Sequence, residues 1–194
     1  MPFNIPILLT WLRVALIPLV VGVFYLPDTW LSPFEKGAAS TAVFIIAALT
    51  DWIDGFLARR WNETSAFGAF LDPVADKLMV AGALLVLVQL DRVNAAIAFI
   101  IIGREIAISA LREWMAQIGA SKSVAVSSIG KIKTIAQMLA IPMLLYDAKL
   151  FNMIDTAFWG QWLLGVAAVL TVWSMLYYLR KAWPLIKANA GQPL

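Results

Sequence analysis

The chain is patterned as six long apolar stretches separated by short polar breaks. They run over roughly residues 11–30, 38–58, 69–90, 93–115, 124–146 and 157–179. Each is close to the ~20 residues that an α-helix needs to cross the hydrocarbon core of a bilayer. Trp11 and Trp30 bracket the first stretch in the manner of interfacial anchors. The breaks read as turns: Pro27-Asp28, Ser32-Pro33, Asn62-Glu63-Thr64, Asp91-Arg92, Gly119-Ala120-Ser121 and Asp147-Ala148-Lys149. No internal repeat, low-complexity tract or linker interrupts the pattern. The expectation is one all-α domain over residues 1–194, a polytopic membrane protein with six transmembrane helices.

Composition supports a bilayer as solvent. The 194 residues are 62% hydrophobic and 14% charged, against about half and about a quarter in soluble domains. The net charge of +3 is too small and too dispersed to argue for a nucleic-acid partner. No cleavable signal peptide is expected, because the first residues have neither a basic n-region nor a small-residue cleavage site before the apolar run continues. Orientation follows from the Lys and Arg bias. With six spans, twelve basic residues lie on or near the side carrying both termini, and only Lys36, Arg92 and Lys149 on the other. Both termini are therefore expected in the cytoplasm, with the protein in the inner membrane.

Two missing residue types narrow the chemistry. Without Cys there is no disulfide, thiolate nucleophile or Cys-based zinc site, and without His the commonest general base and transition-metal ligand is absent. Acid–base work falls to Asp, Glu, Lys or Tyr, and any metal is a hard cation held through oxygen, Mg²⁺ or Mn²⁺.

Residues 50–77, TDWIDGFLARRWNETSAFGAFLDPVADK, place four carboxylates at the ends of two apolar stretches. An ionisable group within a span costs roughly 2.5–3.5 kcal/mol on insertion scales and usually marks function. Asp51 and Asp54 share a helix face with Ala58, with Gly55 beside them; Asp72 and Asp76 share a face with Gly68. The short loop makes the two helices antiparallel neighbours, so the four carboxylates can converge in one cleft. Divalent cations relieve the repulsion of such a group, and a two-metal centre suits phosphoryl chemistry. Gly55, Ala58 and Gly68 leave room for a bulky polar ligand, or for close helix packing. Arg59 supplies a planar fork suited to a diphosphate. Pro73 leaves two geometries open: Asp72 caps the third helix, or the helix begins near Gly68 and kinks at Pro73.

Residues 51–76 read D-x2-D-G-x2-A-R-x8-G-x3-D-x3-D. This resembles, without departure, the signature of the CDP-alcohol phosphotransferase family. The resemblance implies six transmembrane helices, a homodimer, and an active site at the cytoplasmic side. It implies that Asp51, Asp54 and Asp72 hold one metal and Asp51, Asp72 and Asp76 a second, with Asp76 also the general base. Gly55, Ala58, Arg59 and Gly68 would line the CDP pocket with Asp54 close by. The segments NIPILLTWLR, GREIAISALREW and SSIGKIKTIAQ are similar to bacterial members that use CDP-diacylglycerol and sn-glycerol 3-phosphate, which implies those two substrates.

A dianionic acceptor needs cations near the metal centre but apart from the diphosphate clamp. Arg104 and Arg112 lie about 80° apart around one helix, sharing a broad face. Lys131 and Lys133, in or beside the fifth stretch, are placed to face them. All four are candidates for the acceptor phosphate, against snorkelling to anionic headgroups. Glu105 and Glu113 read as ion-pair partners of the adjacent arginines. Arg13 either reaches the CDP headgroup or sits at the interface. Ser65 either touches CDP or caps a helix. The expected reaction is direct displacement of CMP. Two alternatives stand beside it: another alcohol acceptor (serine, inositol phosphate or phosphatidylglycerol), and, outside the class, a divalent-cation transporter. The transporter fits poorly with Arg59 and Arg60 beside the acidic group.

Overall fold

The computed structural model describes residues 5–61, 66–119, 128–151 and 153–189. Within them the chain forms α1 (Ile5–Gly22), α2 (Pro33–Trp61), α3 (Ala66–Gln89), α4 (Ala95–Gln117), α5 (Ser128–Tyr146) and α6 (Thr156–Asn189). A 3₁₀ turn, Val23–Tyr25, extends α1. The starts follow local chemistry. Before α2, Ser32 and Glu35 cap each other: the Ser32 amide donates to Glu35 Oε2 at 2.7 Å and the Glu35 amide to Ser32 Oγ at 3.3 Å. Pro33 sits in the first turn, where its missing N–H costs nothing. Asn94 caps α4 by accepting from the Ala96 amide.

The six expected helices are present with shifted limits. The first lies earlier than 11–30, because the apolar run already begins at Ile5 and the Pro27-Asp28 break stops it. Trp11 is consequently inside α1 and Trp30 in the turn beyond it. The last runs ten residues beyond 179. Backbone hydrogen bonding carries it through the polar tail, where Lys187 also suits the helix C-terminus. Pro73 lies inside α3, so the helix begins before Asp72 and passes through the proline; Asp72 does not cap it. A short antiparallel hairpin, β1 (Lys149–Leu150) with β2 (Ile154–Asp155), joins α5 to α6 and was not expected.

Among the described residues, three stretches can cross a membrane by length and composition: Leu8–Tyr25, Pro33–Leu57 and Thr156–Lys187. α5 has a shorter apolar run, Ile132–Tyr146. α3 carries Asp72, Asp76 and Lys77, and α4 carries Arg104, Glu105 and Arg112. Candidate chemistry is carried by these helices and also by the strongly apolar α1 and α2, which hold Arg13, Asp51 and Asp54.

α1 packs against both α2 and α3, α5 against α6 and α2, and α4 against α3 and α6. This corrects the expected pairing of α2 with α3. Among the described residues those two scarcely touch, because α1 inserts between their acidic faces. The apolar core lies towards the other end of the bundle, built from Leu84, Leu87, Ile101, Ile141, Leu144 and Leu164. Packing there is close: a methyl group on Gly37 would stand 2.6 Å from the Leu145 carbonyl oxygen.

Candidate active site

Because successive helices alternate in direction, Asp51 and Asp54 near the end of α2 come level with Asp72 and Asp76 near the start of α3. They converge on Arg13 of α1. Arg13 Nη1 donates to Asp76 Oδ1 at 2.8 Å and lies 2.9 Å from Asp51 Oδ1, while Nη2 donates to Asp54 Oδ2. Asp72 is tied to the same helix one turn earlier, where Thr10 Oγ1 donates to its Oδ1 at 2.6 Å. Arg13 is wholly buried, and a buried guanidinium is tolerable only when paired. The carboxylates differ in access. The Asp54 side chain is 4% exposed, whereas Asp51 and Asp76 are 45% and 40% exposed. Asp51 and Asp76 open onto a cavity of about 300 Å³, walled also by Phe44, Ala47, Met79 and Thr134.

A metal fits this donor set by chemistry. The side chains are hard oxygen donors, and three carboxylates already surround a cation, the guanidinium, which stands where positive charge is wanted. With Arg13 between them, no three acidic side chains among the described residues close around one point tightly enough to hold an ion. Gly55 is half-buried beside Asp54, and Gly68 is half-buried one turn before Asp72. Ala58 and Arg59 belong to α2 and Lys131 to α5, but their side chains lie outside the described residues, as does all of Ser65.

A second charged cluster joins α4, α5 and α6. Lys133 Nζ donates to Glu105 Oε1 at 2.5 Å, and Arg104 Nη1 lies 3.8 Å from the same oxygen. Arg104 Nη2 donates to Ser174 Oγ at 2.9 Å. Arg112 stacks its guanidinium over the Tyr178 ring at 5.4 Å and is within electrostatic reach of both Arg104 and Lys133. The Nε atoms of Arg104 and Arg112 are buried without a hydrogen-bond partner among the described residues. The expected grouping of Arg104, Arg112 and Lys133 is therefore observed. Glu105, expected to pair with Arg104, is held more closely by Lys133. Thr134, the next residue of α5, lines the acidic cavity, so the two clusters are neighbours around α5.

Arg13 is buried and paired with the aspartates rather than exposed at an interface, and it lines the same cavity as Asp51 and Asp76. Thr10, Ser174 and Tyr178 were not foreseen. A hydroxyl in an apolar helix is too common to stand out. The available signal was spacing, since Thr10 and Arg13 lie three residues apart and share a face of α1.

The CDP-alcohol phosphatidyltransferase family model matches residues 3–173. The CDP-diacylglycerol–glycerol-3-phosphate 3-phosphatidyltransferases of Escherichia coli K12 and of Shigella flexneri serotype 5b are each 54% identical to this chain over 184 residues. The match covers 94% of this chain and 96% of each relative.

Proposed function

This chain belongs to the CDP-alcohol phosphatidyltransferase family, and we propose that within it the chain transfers the phosphatidyl group of CDP-diacylglycerol to sn-glycerol 3-phosphate, giving phosphatidylglycerophosphate and CMP. The observation that carries this reading is the pair of adjoining clusters. One is acid-rich and opens onto a cavity; the other is cation-rich and suited to a dianionic phosphate. The 54% identity to enzymes named for that reaction accords with it.

Asp51, Asp54, Asp72 and Asp76 would hold divalent cations, Mg²⁺ or Mn²⁺. Bound there, such ions would neutralise the diphosphate and stabilise the departing CMP. The remaining work belongs to the chain. Gly55, Ala58, Arg59 and Gly68, with Ser65 and Asp54, would shape and charge the CDP pocket. Arg104, Arg112, Lys131 and Lys133 would bind the acceptor phosphate and orient its 1-hydroxyl towards the cavity. Asp76, half-open on that cavity, takes the hydroxyl proton. The oxygen then attacks the β-phosphorus on the diacylglycerol side, the bond to CMP breaks, and no covalent enzyme intermediate forms.

In this reading all six helices cross the inner membrane, both termini face the cytoplasm, and the protein is a homodimer. The three strongly apolar helices and the basic end of α6 support that orientation. The deciding experiment offers purified protein CDP-diacylglycerol, Mg²⁺ and one acceptor at a time, scored by CMP release. Release with glycerol 3-phosphate well above that with serine, inositol phosphate or phosphatidylglycerol is expected. A preference for any of the others reassigns the acceptor.

A further inference from the structure

Three carboxylates assigned to metal instead share one buried guanidinium. Arg13 and a divalent cation need the same oxygens: Asp51 Oδ1 and Asp76 Oδ1 at one end of the guanidinium, Asp54 Oδ2 at the other. The arrangement is also incomplete, because Arg13 Nε is buried without a hydrogen-bond partner among the described residues. Beside the guanidinium is the cavity of about 300 Å³ that Arg13 itself helps to line, so there is room for it next to its present position.

We propose that Arg13 is a displaceable internal counter-cation: it holds the aspartates together while no metal is bound, yields them when metal loads, and turns into the adjoining cavity to meet the diphosphate of the nucleotide lipid. The proposal rests on the reading that the aspartates bind metal.

The electrostatics run in one direction. Without metal, the Arg13 guanidinium is paired with three carboxylates among the described residues, and removing it would leave buried Asp54 without its positive partner. With two divalent ions the four carboxylates are neutralised, so the guanidinium loses the attraction that held it and a diphosphate becomes its stronger partner. An internal cation that must be displaced lowers the apparent metal affinity by its own hold on the site. Arg13 is in this sense a positioning residue for the carboxylates before it becomes a substrate contact.

The test uses the full chain in detergent: wild type, Arg13→Gln and Asp51→Asn. Mn²⁺ binding is read by calorimetry and by the electron paramagnetic resonance signal of the free ion. Thermal unfolding is followed in EDTA and in Mg²⁺. Arg13→Gln is expected to bind Mn²⁺ about tenfold or more tightly than wild type. It should also melt well below wild type in EDTA, with most of that deficit erased by Mg²⁺. Unchanged or weaker Mn²⁺ binding, or an equal melting deficit in both buffers, makes Arg13 a fixed strut and overturns the proposal. Arg13→Gln that does not fold leaves a wild-type measurement to decide. Modification of Arg13 by phenylglyoxal, read by mass spectrometry, should be slow in EDTA, several-fold faster in Mg²⁺, and slowed again by CDP-diacylglycerol; no acceleration by Mg²⁺ overturns the proposal equally. Mn²⁺ binding lost in Asp51→Asn but unaltered in Arg13→Gln defeats the Arg13 proposal alone. No Mn²⁺ binding by wild type defeats the metal reading with it.

Discussion

The two charged clusters towards the polar end of the bundle have opposite imbalances. Around Arg13, three carboxylates surround one cation. Around Glu105, two cations reach one carboxylate and Arg112 stands nearby. Both are built from groups that are costly to bury, and counted over the described residues neither is neutral on its own. A scaffold would gain most from balanced pairs. Arg92 is such a case: it ties the end of α5 by donating to the Leu144 and Leu145 carbonyls while pairing with Asp147 at 3.0 Å. In the proposed function the inverted excesses are there for ligands. The first cluster favours added positive charge and the second added negative charge, and Thr134 and Lys133, adjacent on α5, place the two side by side, as the proposed reaction requires.

The most severe way to break this comparison is to remove charge from the acid-rich side. Asn substitution at Asp51, Asp54 or Asp72 keeps the side-chain shape and removes a proposed metal ligand. CMP release should fall to background while circular dichroism and detergent-phase elution stay like wild type. Wild-type enzyme should be equally inactive in excess EDTA and recover with Mg²⁺. Turnover in EDTA with no metal returned would show that the carboxylates act without metal.

Next in size is Asp76→Asn. If Asp76 takes the acceptor proton, kcat should fall by about 10²–10⁴, the usual worth of general-base assistance. CDP-diacylglycerol should still bind with near-normal affinity in Mg²⁺. A wild-type kcat would take Asp76 out of the proton transfer, and lost lipid binding would make it chiefly a ligand.

The acid-rich side was far more legible in the sequence than the base-rich one. Asp51, Asp54, Asp72 and Asp76 stand out because carboxylates inside apolar stretches have few structural excuses, and because their spacing repeats on two helices. Lysines and arginines near span ends have a common alternative in headgroup contact, so sequence alone left Arg104, Arg112 and Lys133 ambiguous until α4, α5 and α6 were seen to bring them together. The six helices were legible from the apolar runs. Their ends were less so, because backbone hydrogen bonds carry α6 past its apolar stretch and stop α1 at a proline break. The insertion of α1 between α2 and α3 was not legible at all: a short loop argues for adjacency, and only the long-range pairing of Arg13 and Thr10 with both acidic helices overrides it.

On the base-rich side the expected effects are smaller and fall on one substrate. Lys133→Gln removes a charged donor from the proposed phosphate site. A charge-assisted hydrogen bond is worth roughly 1.5–3 kcal/mol, so KM for glycerol 3-phosphate should rise about ten- to a hundredfold. KM for CDP-diacylglycerol should move little. Equal increases for both substrates would place Lys133 in the scaffold or in a region both substrates share, and the inverted-charge comparison would lose its second half.

The smallest effect sharpens the comparison most, because Ser174 carries no charge and is not expected to touch either substrate. Its Oγ accepts from Arg104 Nη2 at 2.9 Å and donates to the Thr171 carbonyl at 3.0 Å. The residue is therefore a relay that fixes the Arg104 guanidinium against α6. Ser174→Ala removes the acceptor without adding bulk and leaves the charge of Arg104 intact. Ser174→Ala costs Arg104 its orientation but not its charge, so the effect should be smaller than loss of the cation itself: a rise in KM for glycerol 3-phosphate of about two- to tenfold, roughly 0.5–1.5 kcal/mol. kcat and KM for CDP-diacylglycerol should stay near wild type. Thermal stability checks the competing account: a purely structural hydroxyl would lower the melting temperature and leave the ratio of the two KM values unchanged. A selective rise for the acceptor places Arg104 at the phosphate, held there by Ser174. A falling melting temperature with an unchanged KM ratio returns Arg104 to the packing of α4 against α6.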